Sequence, residues 1–297
     1  MTVPVLTTLP VPVNPEPETD AVAPASVRPG TPLRALPWGL YLAISVVVLA
    51  VLWAVIPGVF APADPLTGAP ADKLLPPSAA HWFGTDTLGR DLFGRVVHGA
   101  VHSLSGALIA VTVGLGLGTL IGAVAGAVGG ILDDVLMRIV DVLLAIPGLL
   151  LSLSVIILLG FGTVNAALAV GLGSVAAFAR LMRAEVARVR RTEYVEAAYG
   201  SGATFFAVLR RHVLPNSLTP IVALAALQFG TAILAISTLG FLGYGAPPPT
   251  PEWGLLIAEG RNYIGTAWWL TALPGLVVVA VVLSANRISH RLGRNTR

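Results

Sequence analysis

Residues Glu193 to Asn216 read EYVEAAYGSGATFFAVLRRHVLPN. The segment carries two Glu, two Arg and a Gly-Ser-Gly break, yet the chain on either side is apolar enough for lipid. No Asp, Glu, Lys or Arg occurs from Val142 to Ala179 or from His212 to Pro251. Within the stretch, EYVEAAY is a good helix former with small Ala197 and Ala198 near its end. Glycine at 200 and 202 permits a sharp change of direction and the left-handed backbone of a helix end. FFAVLRRHVLP then presents Phe205, Phe206, Val208 and Leu209, with Pro215 placed to open the next span. The pattern predicts a helix–turn–helix, with large apolar knobs for grip and small residues for close approach to a partner. Anchorage of a surface loop to anionic lipid accounts for the arginines only.

Composition explains the surroundings. The 297 residues have a mean hydropathy of +0.83, 55% hydrophobic residues and 11% charged ones. A soluble domain carries about 25% charged residues, so the chain reads as a membrane protein. It has no cysteine, which excludes disulfides and thiolate sites. The net charge of +3 fits basic loops beside a membrane rather than nucleic-acid binding.

A bilayer crossing needs about 20 apolar residues. Six stretches qualify: Trp38–Phe60, Ser103–Gly130, Ile139–Gly160, Val164–Leu181, Leu218–Gly243 and Ala267–Ala285. With the N-terminus inside, fourteen basic residues face the cytoplasm and four face out, which sets the orientation. The fold expected is all-α, with six transmembrane helices and both termini cytoplasmic. Residues 1–37, rich in proline, read as a disordered cytoplasmic tail. Residues 38–60 form the first span, 61–102 an extracytoplasmic segment, 103–285 a five-helix core containing the loop 183–215, and 286–297 a basic cytoplasmic tail. Trp38, Trp53, Trp268 and Trp269 lie near span ends, as interfacial aromatics do.

The spans themselves carry little chemistry. Gly114, Gly118, Gly122, Gly126 and Gly130 recur every fourth residue, a smooth stripe for close helix packing. Asp141 stands one turn from Arg138, so a local pair is expected there rather than a proton relay. The absence of a duplication visible by eye and of buried ionisable groups argues against an ion-coupled carrier. The only lysine, Lys73, sits in no Gly-x4-Gly-Lys-Ser/Thr loop, so any ATP is hydrolysed by another polypeptide. His98 and His102 lie one turn apart but lack the Glu of a zinc-protease motif, and no nucleophile elbow occurs. No metal site, resident cofactor or catalytic residue is expected.

EAAYGSGATFFAVLRRHVLP resembles the EAA signature of bacterial ABC importer permeases, Glu-Ala-Ala-x3-Gly-x9-Ile-x-Leu-Pro. Glu196, Ala197, Ala198, Gly202, Leu214 and Pro215 match it, and His212 replaces the usual Ile. HWFGTDTLGRDLFGR, His81 to Arg95, and FLGYGAPPPTPEWGLLIAEGRNYI, Phe241 to Ile264, are similar to outer segments of the dipeptide, oligopeptide and nickel branch. Gly94, Val101 and the ending NRISHRLGR, which keeps only Asn286 and Leu292, depart from that branch.

The resemblance implies a type I ABC importer permease in the bacterial cytoplasmic membrane. It implies a homologous second permease, two ATPase subunits that bind the ATP and Mg, and an extracytoplasmic substrate-binding lipoprotein. The EAA helix, with Phe205 and Phe206, would dock on an ATPase subunit and couple its motion to the pore. Dipeptides or oligopeptides are the substrates implied; nickel, glutathione or another small solute would use the same architecture. On the outer side, the i,i+4 pairs Asp86–Arg90 and Asp91–Arg95 predict an exposed helix capped by Thr85 or Asp86. Asp86, Arg90, Asp91 and Trp253 are the expected outer contacts, and APPPTPEW a stiff loop.

Overall fold

The computed structural model describes residues 38–294, with side chains through residue 291; the tail expected at 1–37 lies outside the described residues. Apolar content sets the elements. Helix α1 (Trp38–Val55) and the short α2 (Pro57–Phe60) lead through an irregular segment to α3 (Leu92–Val128). Then follow α4 (Gly130–Ala145), α5 (Gly148–Leu159) and α6 (Thr163–Val189). After α7 (Glu193–Gly200) and α8 (Phe205–Val208) come α9 (Leu214–Phe241), α10 (Trp253–Gly260) and α11 (Trp269–Arg294). Among the described residues, five helices are long and apolar enough to cross a membrane, six spans if the bent pair α4 and α5 counts as one.

That pair differs from the single span expected over Ile139–Gly160. The chain bends by 96° between α4 and α5. Pro147 supplies no N–H and forces Ile146 into an extended conformation (φ −85, ψ 126), which stops α4. The break was written in the Ile-Pro-Gly triplet, which an unbroken apolar run obscured.

The most extensive packing joins α3 to α6, and the glycine stripe makes it possible. A Cβ on Gly118 would come within 2.5 Å of Val175 O, and one on Gly126 within 2.8 Å of Arg183 O. On Gly114 it would collide with Ser174, and on Gly122 with Ala179 O. Lipid tails are as apolar as side chains, so such close approach replaces hydrophobic burial as the source of association. Gly130 leaves the stripe. It follows the end of α3, has φ +62 beside Gly129 at φ +73, and a Cβ there would meet nothing. Those two residues turn the chain from α3 into α4.

Two further boundaries move, and one expected pair changes partner. Helix α3 begins at Leu92, inside the 61–102 segment read as extracytoplasmic, and α11 continues to Arg294 through most of the expected C-terminal tail. Asp141 pairs with Arg180 of α6 at 2.5 Å rather than with Arg138. Of the interfacial tryptophans, Trp38 and Trp268 are exposed, whereas Trp53 and Trp269 are packed inside.

Candidate functional site

The opening stretch folds as an elbow at the Arg-rich end of the bundle. Glu193 and Glu196 stand in the first turn of α7, where acidic groups favour the helix dipole. Arg190, just before it, donates through Nη1 to Gly126 O at 2.8 Å, satisfying one of the free carbonyls at the end of α3. Gly202 takes φ +85. Its N–H reaches Tyr199 O at 2.9 Å while Ala203 N–H reaches Ala198 O at 3.2 Å, the paired bonds of a Schellman stop.

Val195, Val208 and Val213 anchor the elbow in the core. Its other face is open. Glu196, Ala197, Gly202 and Pro215 are exposed, Ala198 and Leu214 are half-buried, and Phe206 is 78% exposed against the edge of Phe205 at 5.5 Å. Most of the expected elbow residues are thus exposed, while Ala198 and Leu214 pack against the core. Pro215 stands in the first turn of α9, as expected, but helical backbone begins before it. Helical backbone is continuous from Phe205 to Phe241, through a π-helical stretch, Leu209–Val213, and past Pro220 inside α9. That wider turn accommodates Pro215, which has no N–H to give and crowds the preceding carbonyls. The second arm of the elbow and α9 are therefore one rod, roughly 55 Å long at 1.5 Å per residue.

The rod leads to a cavity of about 220 Å³ bounded by α3, α5, α6 and α9. Gln228 and Thr231 of α9, Ser152 of α5 and Ser174 of α6 are its polar groups, and none of its lining side chains is ionisable. Residue-by-residue reading of the sequence passed over Ser152. The signal was a serine one turn beyond Pro147-Gly148.

The opposite end of the bundle departs most from expectation. Asp86 and Arg90 form no helix. Asp86 closes a turn by accepting the Leu88 and Arg90 N–H groups at 2.8 and 3.0 Å and the Arg90 Nε at 2.6 Å. Asp91 does not pair with Arg95; it caps α3 by accepting Gly94 N–H at 2.7 Å and sits 3.0 Å from His81 Nδ1. Arg95 is fully buried and donates to Asp86 at 2.9 Å and to Glu259 of α10 at 2.6 Å. Sequence spacing of i,i+4 was thus a turn and a long-range network, not a surface helix.

Trp253 is likewise buried, its ring N–H on Val96 O at 2.9 Å. Beside it, fully buried Glu252 caps α10 by accepting Gly254 and Leu255 N–H groups at 2.9 and 3.0 Å. Burial pushes its carboxyl above the usual range, and those donors with Ser103 oppose the shift. Asp86, Arg90 and Trp253 therefore hold together this chain's own end of the bundle opposite the elbow. Among the four expected outer contacts, Asp91 alone keeps substantial exposure, at 33% of its side chain. Removing one partner from a buried ion-pair network costs about 3–5 kcal/mol. Arg95→Leu is expected to lower the thermal midpoint of the purified protein accordingly, and an unchanged midpoint would remove the network from the account.

Crossing helices packed through glycine, a small and mostly apolar cavity with a few polar groups, and a projecting elbow are the features of a membrane-embedded permease subunit. A family model described as "Binding-protein-dependent transport system inner membrane component" matches residues 118–297. The chain belongs to this family of ABC importer permeases, as a multi-pass protein of the bacterial inner membrane. It is 40% identical over 241 residues to a probable D,D-dipeptide transport system permease protein, DdpC, of Escherichia coli (strain K12), covering 81% of each chain. It is 40% identical to the dipeptide transport system permease protein DppC of Alkalihalophilus pseudofirmus, over 75% of this chain and 73% of that one. It is 44% identical to the glutathione transport system permease protein GsiD of Shigella flexneri, over 73% and 71%. A chain of the MetNI methionine ABC transporter in inward-facing conformations has the same fold, with TM-score 0.57, 20% identity, and coverage of 68% and 96%.

Proposed function

We propose that this chain forms half the pore of an ATP-driven importer for dipeptides or other short peptides, and takes its motion through the Glu193–Pro215 elbow. One observation carries the reading: a single helical rod joins the exposed Phe205–Phe206 knob to the cavity wall at Gln228. A push on the elbow is transmitted along that rod, because an unbroken helix resists compression better than a hinge. The relatives named for dipeptides and glutathione supply the substrate class. The partners are a homologous second permease, two ATPase subunits holding ATP and Mg, an extracytoplasmic binding lipoprotein and the surrounding lipid. No step of ATP hydrolysis belongs to this chain. The Arg-rich end faces the cytoplasm in this reading.

The chain has no cysteine, so one introduced thiol reports alone. In membranes containing the assembled transporter, Phe206→Cys is expected to crosslink to the ATPase subunit and to lose the crosslink when ATP closes the motor. Labelling of that thiol by a membrane-impermeant reagent from outside intact cells would refute the orientation and the coupling role together.

A further inference from the structure

We propose that the break in the third span builds a carboxylate-binding station for the carried peptide, resting on the importer reading above. Helix α5 starts at Gly148 directly after the 96° bend, with no side-chain cap on its N-terminus. The first bond of its opening turn runs from Leu151 N–H to Pro147 O at 3.0 Å. The N–H groups of Gly148, Leu149 and Leu150 are therefore free, at the positive end of the helix dipole. Gly148 and Leu149 line the cavity between α3, α5, α6 and α9. A Cβ at Gly148 would meet nothing within 4 Å, so no neighbouring side chain packs on this residue.

An independent feature points the same way. Ser152 lies one turn further along the same face, lines the cavity, and is only 4% exposed. Its hydroxyl makes no hydrogen bond to a described residue and stays reachable from the cavity, so it is free to donate to a ligand there. Gln228 brings an amide from α9 on another wall. The cavity thus offers N–H, O–H and amide donors with no anionic side chain on its lining, so a cation finds no counter-charge there. A carboxylate meets donors and a positive dipole end, in surroundings of low dielectric where both act strongly. The terminal carboxylate common to all unmodified peptides is the group that fits.

The test uses the assembled transporter in proteoliposomes with its binding protein, and labelled Ala-Ala, whose only carboxylate is terminal. Ser152→Asp and Ser152→Asn are nearly equal in size and differ in charge. The carboxylate of the first would occupy the donors itself and repel the incoming one, so its uptake is expected to fall about tenfold below that of the second. Copurification of the other subunits with both variants controls for folding. Equal uptake by the two variants, with wild-type transport intact, overturns the station and leaves the importer reading standing. A wild-type complex that accumulates no Ala-Ala overturns the peptide reading and the station together.

Discussion

Gly122→Leu is expected to abolish recovery of the folded subunit, whereas Gly116→Leu, six residues away on the same helix, leaves it near wild type. A Cβ at Gly122 would strike Ala179 O and stand 2.8 Å from Met182 Cβ and 2.9 Å from Arg183 N. A Cβ at Gly116 meets nothing within 4 Å. Overpacking costs about 1–3 kcal/mol where side chains can move aside. At Gly122 the obstacles are largely backbone atoms of α6, so two long helices must separate along their largest shared face. A loss of that kind consumes much of a typical stability of about 5–15 kcal/mol. Size-exclusion profiles and thermal midpoints in detergent measure it, with Gly122→Ala expected between the two. Matching profiles for the two leucine variants would show that the α3–α6 seam does not hold the bundle.

Gly202→Asp is expected to reduce peptide uptake by an order of magnitude or more while the chain still inserts. The reason lies in the backbone, since a Cβ there has open space around it. Gly202 holds φ +85, where a side chain costs roughly 1–2 kcal/mol. Relaxing that angle removes both bonds of the Schellman stop and turns α7 away from α8. In the proposed mechanism, motion applied to α7 then no longer reaches the rod that ends at the cavity. Gly202→Ala carries the backbone strain without the charge, so it separates the two causes and is expected to lose uptake comparably. Proteoliposome uptake with parallel ATPase assays distinguishes the outcomes. Full uptake by Gly202→Asp at normal expression would end the coupling role of the elbow.

Much of the molecule was legible because its signals are local. Span positions follow from stretches of apolar residues, and the elbow from an eight-residue helix former stopped by glycine. The fourfold glycine spacing announced close packing as far as Gly126, since residues four apart share a helix face. Gly130 fell out because periodicity cannot say where a helix stops, and two consecutive positive φ angles end that register. Pro147 was visible as a letter but not as a bend, because an uninterrupted apolar run satisfies a span criterion on either side of it.

The end of the bundle opposite the elbow was misread for a different reason. Asp86, Arg90 and Arg95 look like surface charges when counted along the chain, since isolated ions avoid burial. They are buried because Glu259, 164 residues from Arg95, arrives on α10 to complete the pairing. The order of residues by itself determined which segments enter the lipid and where the chain offers a knobbed turn, both being consequences of neighbours within one or two helical turns. Only the tertiary structure decided which charges lie inside and toward which space the free N–H groups of α5 open. Those outcomes depend on groups brought together across the whole chain, and desolvation penalises each of them until its distant partner is in place.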